Sequence, residues 1–485
     1  MFLGLDIGTS AVKAALVGDD GEVVAQASVP LAVSRPHPGW SEQDPDAWWA
    51  ATAAAVDMLA AAEAAALAAV RGIGLSGQMH GATLLGADDR PLRPAILWND
   101  GRASAECAAL EAACPRSRQI SGNLAMPGFT APKLLWVAAH EPAVFAATRT
   151  VLLPKDYVRL TLTGDKVSDM SDASGTLWLD VGRRDWSDEL LAATRLDRSH
   201  MPRLVEGSAS SGRLRPELAA RWGMTSPPVV AGGGGDNAAS ACGVGAVTAG
   251  SGFVSLGTSG VLFVATGRFA PNTAGAVHAF CHAVPDTWHQ MGVILSAAAS
   301  LDWLAGILNE TPAELLAGLG ARASGPSPVL FLPYLSGERT PHNDAAVRGA
   351  FAGLAPEHGR DALVLAVLDG VAFALNDCAE ALAAAGTRID RLTAVGGGTR
   401  SQLWLSILAT VLGVPLDLPE DGDVGAAAGA ARLGRLAATG EPPADVCIPP
   451  AIRTTIDPEP RLADAYAEAR ARWRSLYPAV KEATP

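Results

Sequence analysis

The stretch FLGLDIGTSAVKAALV, residues 2–17, decides the fold of this chain. Its first six residues are apolar except for Asp6 and predict a buried strand, which a Gly-Thr-Ser turn at 8–10 ends. Val12–Val17 predicts a second strand, and a third follows at Glu22–Ala25 after another turn. We therefore expect the chain to open with an antiparallel meander.

The same pattern returns just over half the chain later. An apolar strand at Phe253–Leu256 leads into a second Gly-Thr-Ser turn at 257–259 and a further strand at 260–265. The two copies differ at one position, where Asp6 of the first aligns with Ser255 of the second. The sequence thus predicts two similar α/β domains, of which only the first carries a carboxylate beside its turn.

Between the two hairpins, helix and strand patterns alternate. Asp44 and Pro45 predict a helix start, because Asp is a favoured N-cap and Pro is favoured in the first helical position. The alanine-rich stretch that follows predicts a helix to about Val70. Arg71–Ser76 is short, apolar and bounded by glycines, which indicates a buried strand.

The division between the domains is expected near residues 243–252, which are rich in glycine, alanine and serine. This gives domains at 1–245 and 246–485. The second domain is expected to end in a helical tail at Arg461–Tyr477, where apolar residues recur at helical spacing.

Composition excludes several classes of protein. The chain has 485 residues and a formal net charge of −13, which argues against non-specific binding to nucleic acid. Alanine accounts for the apolar excess, and the most apolar-looking span, 50–70, contains two acids, so no membrane span is expected. The N-terminus lacks the basic region of a signal peptide, and the six cysteines form no CxxC pair, so we expect a cytoplasmic protein.

The first candidate site is Asp6 with the turn at 8–10. A carboxylate at a strand end beside a Gly-Thr turn suits a hydrated Mg²⁺, and the turn's amides and hydroxyls suit phosphate oxygens. An ordinary hairpin in which Asp6 caps nearby amides explains the same residues equally well.

The second is VVAGGGGDN at 229–237, where a buried strand runs into four glycines and Asp236. Glycines let other groups approach the backbone closely. An aspartate held there is placed to accept a proton from a substrate hydroxyl. The alternative is a flexible turn with Asp236 as a helix N-cap.

The third is AVGGGTRS at 394–401, followed by a helix predicted at Gln402–Leu412. A strand, a glycine turn and a helix N-terminus suit a phosphate or the face of a nucleotide base, although a tight connection needs the same residues. A further helix of small residues is predicted at Gly422–Leu436. It suits close packing against such a ligand or against another helix.

The fourth is GQMHG at 77–81. Glutamine and histidine beside a methionine wall suit a polyol, but a lone histidine in such a loop is more often structural.

Taken together, these residues resemble the FGGY family of carbohydrate kinases. The resemblance covers nearly the whole chain and is densest from residue 1 to about 435. The segments that carry it are GLDIGTS (4–10), VSRPHPGWSEQDP (33–45), GQMHGATLL (77–85), LRPAILWNDGR (92–102), GNLAMPGFTAPKLLWV (122–137), LPKDY (153–157), SDMSDASG (168–175), LGTSG (256–260), FLPYLSGERTPHN (331–343) and GDVGAAAGAARL (422–433).

The resemblance implies a fold and a reaction. The fold is two ribonuclease-H-like domains of the actin-like ATPase type, with sugar deep in an interdomain catalytic cleft and ATP mostly on the second domain. The Gln-Met-His-Gly loop is similar to that of members that phosphorylate D-xylulose to D-xylulose 5-phosphate in D-xylose catabolism. ATP and Mg²⁺ are then expected, with no nucleic-acid or membrane partner, and a homodimer is one candidate assembly.

The resemblance also assigns roles to residues. It implies that Asp236 is the general base, that Asn237 adjoins the sugar, and that Met79 and His80 contact the ketose. Asp6 is implied to be required for activity through Mg²⁺ and the phosphates. The positions that fall where the family meets nucleotide are Thr9, Thr258, Gly397, Gly398 and Gln402.

Two departures and three alternatives accompany this expectation. Four glycines precede Asp236 where the family pattern has three, and Ala362 stands where a polar residue is expected. The alternatives are an FGGY kinase for another ketose or polyol, an actin-like nucleotide-binding regulator, and a filament-forming ATPase. The last two do not need both Asp236 and the loop at 77–81.

Overall fold

The computed structural model describes residues 1–420 and 425–483, which form two mixed sheets of seven strands each. The first sheet has the strand order Val23–Pro30, Ala11–Val17, Phe2–Ile7, Gly72–Gly77, Val229–Ala231, Ser210–Arg213, with Gly234–Gly235 also paired to Gly72–Gly77. The second has the order His278–Cys281, Trp288–Ile294, Gly260–Thr266, Gly252–Leu256, Leu392–Val395, Leu416–Pro419, Ile452–Ile456.

The predicted repeat is confirmed by strand pairing. In each sheet an antiparallel hairpin is followed by two parallel neighbours and then by an antiparallel edge strand. The two hairpins begin at Phe2–Ile7 and Gly252–Leu256, within one residue of the predicted strands. Asp6 and Ser255 take equivalent places, so the carboxylate is present in only one of the two copies.

Several helices pack on these sheets, among them Pro45–Ala62, Arg360–Ala384 and Ala426–Thr439. The helices of ten or more residues are Pro45–Ala62, Ser104–Ala113, Thr130–His140, Pro154–Thr163, Ala298–Leu308, Arg360–Ala384, Gln402–Leu412, Ala426–Thr439 and Ala463–Arg474. Shorter ones are Ala64–Ala68, Ser117–Ser121, Pro142–Ala147, Met170–Ser174, Asp188–Ala193, Pro216–Arg221, Asp236–Gly243, Pro312–Leu316, Pro443–Val446 and Leu476–Ala483. Small two-stranded pairs join Glu42–Gln43 to Ala95–Ile96, Thr83–Leu85 to Thr150–Leu152, Val167–Asp169 to Arg203–Val205, Leu179–Asp180 to Asp185–Trp186, and Leu330–Leu332 to Ala350–Ala352.

The predicted helix after Asp44 begins as expected and ends early. The Asp44 side chain accepts a hydrogen bond from the Asp46 amide, and Pro45 occupies the first helical position. The helix ends at Ala62 instead of continuing unbroken to Val70, because Glu63 adopts a non-helical conformation before a short second helix. The predicted tail is likewise divided in two, at Ser475.

One helix was not anticipated from composition. Arg360–Ala384 has 25 residues and is apolar enough to span a membrane by length and composition, which corrects the expectation that the chain has no such stretch. In the structure, 72% of its apolar window is buried inside the protein. It is the central helix of the second core, between the second sheet and the strand Leu330–Leu332.

Helix Ala426–Thr439 lies on the first sheet with its backbone almost touching the strands. A Cβ atom at Gly4 or Gly74 would overlap a carbonyl oxygen of this helix. A Cβ atom at Gly429 would overlap a carbonyl oxygen of helix Asp236–Gly243. Small residues therefore serve close packing between protein elements here, one of the two explanations left open by sequence. Residues 422–424 of the predicted segment lie outside the described residues.

A shared hydrophobic cluster joins the two halves. It contains Leu84 and Phe129 from the first half and Phe253 and Phe280 from the second, all of them buried. The hydrophobic core next to the loop at 77–81 thus continues to the edge of the second sheet.

The backbone contact at Gly74 gives a stability prediction. We expect Gly74→Ala to lower stability by about 1–3 kcal/mol, because the new methyl group must displace the backbone of helix 426–439. The matched control is Gly306→Ala on an exposed helix face, where a Cβ meets nothing within 4 Å. This change should stabilise by about 0.5–1 kcal/mol. Thermal unfolding of both variants is the measurement, and an unchanged melting temperature for Gly74→Ala contradicts the packing described.

Candidate active site

Three strands of the first sheet end side by side at the candidate site. Asp6 pairs with Ser76 on the neighbouring parallel strand, and Ser76 pairs in turn with Gly234. The Ser76 hydroxyl donates a hydrogen bond of 2.9 Å to Oδ1 of Asp6. Parallel strands that finish together bring the carboxylate of Asp6 close to the turn that precedes Asp236.

The turn after Asp6 is fixed by a buried amide network. The Thr9 hydroxyl donates to Oε1 of Gln78 at 2.9 Å and accepts from the Trp98 indole at 3.0 Å. The Gln43 amide donates to the Thr9 carbonyl at 2.7 Å and accepts from Gln78. Because the Thr9 hydroxyl hydrogen is already used and the Gly8 N–H donates to the Ala11 carbonyl, this turn offers an anion the N–H groups of Thr9 and Ser10. The sequence marked Gln78 as a candidate for binding a polyol, and it did not reveal that Gln78, Gln43 and Trp98 hold Thr9, since nothing local marks such distant partners.

The four glycines before Asp236 each lie close to other groups. Gly233 has a φ of 78°, in the left-handed region that favours glycine. A Cβ there would overlap the Leu75 carbonyl, and one at Gly232 would overlap the Glu206 carbonyl. The fourth glycine is therefore accommodated by a positive-φ turn. Helix 236–243 begins at Asp236 itself, with Gly235 as the N-cap, so the N-cap explanation of Asp236 is not what the structure shows.

The environment of Asp236 is unusual for a carboxylate. Its side chain is half-buried and accepts hydrogen bonds from the backbone N–H and the side-chain amide of Asn237, at 2.7 and 3.0 Å. Burial, and next the negative charge of Asp6, raise the pKa of Asp236 to about 6. A carboxylate with this pKa is ionised at neutral pH and is a stronger proton acceptor than an exposed aspartate.

The loop at 77–81 packs directly on the Asp236 turn. A Cβ at Gly235 would lie 2.8 Å from the Met79 sulfur, so methionine and glycine are in contact. His80 has a φ of 69°, rare for a residue with a side chain, and its Nδ1 lies 2.6 Å from the Gly175 carbonyl. Because a carbonyl only accepts, Nδ1 carries the proton and Nε2 is an acceptor. Burial lowers the pKa of His80 to about 3, so the ring is neutral.

A second set of predicted residues lines a cavity of about 660 Å³ in the other half. Gly397, Gly398 and Gln402 all face it, at the start of a helix that spans Gln402–Leu412 as predicted. Gly397 has open space where a Cβ would stand. The remainder of the wall comes from two helices, Ala298–Leu308 and Pro312–Leu316, and from the loop after them.

Thr258 lies in the turn next to this cavity. The neighbouring glycine turn packs on it, because a Cβ at Gly398 would lie 2.7 Å from the Leu256 side chain. Thr258 is exposed, and its carbonyl accepts a hydrogen bond of 2.9 Å from the Ala297 amide. The structure thus gathers Asp6, Thr9, Met79, His80, Asp236 and Asn237 in the first half, and Thr258, Gly397, Gly398 and Gln402 in the second.

A buried cluster of charged side chains supports the glycine turn that precedes Asp236. Asp156, Asp169 and Asp172 are close enough to share a metal, but the Lys155 ammonium lies among them at 2.6, 2.7 and 3.0 Å. Arg159, paired with Asp156 at 2.7 Å, also donates to the Gly232 carbonyl. The cluster is therefore a structural support in which Lys155 and Arg159 pair with the aspartates. Sequence analysis noted the segments LPKDY and SDMSDASG only as points of resemblance.

Comparisons with known proteins agree with this arrangement. Residues 1–243 match the N-terminal domain of the FGGY family of carbohydrate kinases, and residues 252–438 match its C-terminal domain. The chain is 52% identical over 481 residues to the xylulose kinase of Escherichia coli (strain K12), with 98% of each chain covered.

Solved structures give the same result. A "xyloylose kinase" from Brucella ovis is 59% identical, with a TM-score of 0.97 and 99% of each chain covered. The xylulose kinase from Rhodospirillum rubrum is 31% identical, with a TM-score of 0.91 and 99% of each chain covered. With its two mixed sheets arranged as the two domains of an actin-like sugar-kinase fold, this chain belongs to the FGGY family of carbohydrate kinases.

Proposed function

We propose that the protein transfers the γ-phosphoryl group of ATP to O5 of D-xylulose, giving D-xylulose 5-phosphate and ADP, in D-xylose catabolism. The observation that carries this proposal is the contact between the Asp236 turn and the Met79–His80 loop, which sets a proton acceptor beside the neutral ring of His80. The 52% identity to a xylulose kinase supports the choice of sugar.

Asp236 acts as the general base. Its carboxylate accepts the proton of the O5 hydroxyl as the bond from O5 to the γ-phosphorus forms. The bond from that phosphorus to the bridging oxygen of ADP breaks, and ADP leaves. The pKa of about 6 keeps the base ionised at neutral pH and matches it to this transfer. Asn237 holds the carboxylate through two hydrogen bonds.

Asp6 is the residue that would hold Mg²⁺. The donor set fits a hard cation, because Asp6 offers carboxylate oxygen and stands near enough to Asp236 for its charge to raise the pKa of that group. When bound, Mg²⁺ neutralises charge on the phosphates of ATP. Asp6 therefore belongs to the catalytic group of the protein together with Asp236.

The nucleotide is assigned to the cavity lined by Gly397, Gly398 and Gln402. Its volume of about 660 Å³ lies within the range of small-ligand pockets, and its glycines admit a flat group. The turns at Thr9 and Thr258 are assigned to the phosphates, for which backbone N–H groups are suitable donors.

The sugar is assigned to the Met79–His80 loop. Because His80 is neutral and its Nε2 has a lone pair, it accepts a hydrogen bond from a sugar hydroxyl. Met79 supplies an apolar wall against the carbon chain. Asn237, next to the base, adjoins the same ligand.

The remaining assignments concern the protein as a whole. We place it in the cytoplasm, without a nucleic-acid or membrane partner, with a homodimer as a candidate assembly. Six free cysteines and the charge of −13 are compatible with this setting. The domain limits 1–245 and 246–485 stay a prediction, in which helix Ala426–Thr439 belongs to the second domain by sequence and packs on the first.

The role of Asp236 is tested by Asp236→Asn, which keeps the shape of the side chain and removes the base. We expect turnover to fall by about 10²–10⁴-fold in a coupled ADP assay, because that is the usual contribution of a general base. Binding of an ATP analogue should be retained. Asp457→Asn, at an exposed site, is the control and should behave as the parent. Near-normal turnover by a folded Asp236→Asn protein rules out the assigned role.

The raised pKa of Asp236 predicts the pH profile. Protonation removes the base, so kcat/KM for the sugar at saturating ATP should decline below about pH 6, approaching tenfold per pH unit, and be level above it. Circular dichroism at each pH checks that the fold persists. A profile that stays level down to pH 5 is incompatible with Asp236 as the titrating base.

A sugar panel tests the substrate. D-Xylulose should give the highest kcat/KM when compared with D-ribulose, L-ribulose, L-xylulose and glycerol in the coupled ADP assay. Without sugar, ADP release should be slow, since water lacks the contacts that position a hydroxyl. Preference for another member of the panel assigns the chain to a different sugar.

A further inference from the structure

Arg339 is half-buried and pairs with no carboxylate of the described part of the chain. It lies in the segment FLPYLSGERTPHN, which sequence analysis used only as a point of resemblance. Within residues 1–420 and 425–483, none of the ion pairs includes Arg339, whereas the more deeply buried Arg102 and Arg159 both pair with aspartates. Burial lowers the pKa of Arg339, which reflects the cost of desolvating this charge.

The neighbouring Glu338 does not neutralise it. Oε1 of Glu338 accepts hydrogen bonds from the backbone N–H groups of Leu295 and Arg339, at 2.9 and 2.7 Å. Burial raises the pKa of Glu338 to about 8, so this carboxyl is mostly protonated at neutral pH. The charge of Arg339 therefore remains uncompensated within the described part of the protein.

A chain of hydrogen bonds holds the guanidinium in place. Nη1 of Arg339 lies 3.3 Å from Nε2 of His278, and Nδ1 of His278 lies 3.2 Å from Oδ1 of Asn123. The Asn123 amide donates to the Ala279 carbonyl at 3.0 Å, which fixes its oxygen toward the histidine. His278 thus donates from Nδ1 and accepts at Nε2 from Arg339. Residues of both halves orient one side of the guanidinium, and its other N–H groups have no partner among the described residues.

The same histidine connects Arg339 to the sugar loop. The ring of His278 lies 5.6 Å from that of Phe129, and Phe129 lies 4.6 Å from His80, both in edge-to-face contact. After burial, the charges that lower the pKa of His80 are those of Lys133 and then Arg339. Through His278 and Phe129, the guanidinium therefore lies near the sugar loop that carries His80.

We propose that Arg339 is a substrate-binding residue that donates hydrogen bonds from its free guanidinium N–H groups to an oxygen of the ketose held at Met79 and His80. This inference rests on the proposed function. A ketose offers a carbonyl that only accepts, and His80 in its neutral form offers an acceptor for a hydroxyl. Arg339 supplies the complementary donor and does so from the second half of the chain. The sugar pocket is then complete only when residues of both halves surround it.

The test compares Arg339→Gln and Arg339→Lys with Arg453→Gln, a control at an exposed arginine. Each protein is assayed for the KM of D-xylulose, the KM of ATP and ADP release without sugar. Loss of a charged hydrogen bond should raise the KM of D-xylulose by about ten- to hundredfold in Arg339→Gln. The KM of ATP and the sugar-independent rate should stay as in the parent. Arg339→Lys should be intermediate, because lysine keeps the charge and loses the planar fork.

The outcomes separate this inference from the proposed function. A parent protein inactive on D-xylulose overturns the proposed function. An active parent with an unchanged KM for D-xylulose in Arg339→Gln overturns the role of Arg339 alone. A rise confined to the KM of ATP also overturns it and makes Arg339 a phosphate ligand. Should Arg339→Gln not fold, Arg339→Lys decides: a D-xylulose KM raised at least several-fold supports the role, and a parental KM overturns it.

Discussion

The arrangement of the whole molecule depends on one contact between backbones. Helix Ala426–Thr439 lies so close to the first sheet that Gly4 and Gly74 have no room for a side chain, and Gly429 brings it equally close to helix Asp236–Gly243. Such contacts gain dispersion energy over a large area and tolerate little adjustment, because packed interiors are dense. Helix Ala426–Thr439 therefore fixes the position of the helix that begins at Asp236, although the two are far apart in the sequence. The same helix holds the strand that carries Asp6.

The two halves share a topology and differ in chemistry. Both begin with a hairpin whose turn has the sequence Gly-Thr-Ser, and both continue with parallel strands. Only the first has an aspartate before the turn, and that aspartate raises the pKa of Asp236 through like-charge repulsion. In the second half, Ser255 stands where the first half has Asp6. The glycine turn beside Ser255 lines a cavity. The same strand topology thus carries two sites of different chemistry.

Local sequence patterns predicted the helices and strands but did not predict the long-range contacts between side chains. Both hairpins, the helix start at Asp44 and helix Gln402–Leu412 follow from capping, turn chemistry and periodicity, which act over a few residues. The resemblance brought together Asp6, Asp236 and the residues of the 77–81 loop. It did not reveal the partners of Thr9, the lysine within the aspartate cluster, or the position of Arg339. The partners of Thr9 and Arg339 lie tens of residues away, and Lys155 meets Asp169 and Asp172 from further along the chain, so a single sequence carries no sign of which pairs meet.

Synthesis of the chain imposes an order on these contacts. The strands of the first sheet are complete once residue 235 has been made, but helix Ala426–Thr439, which covers that sheet, is made almost two hundred residues later. During that interval on the ribosome, a glycine-lined face of the sheet has nothing of its own chain to cover it. Exposed sheet surface of this kind promotes aggregation, so we expect an incomplete chain to be most prone to aggregate before this covering helix has been made.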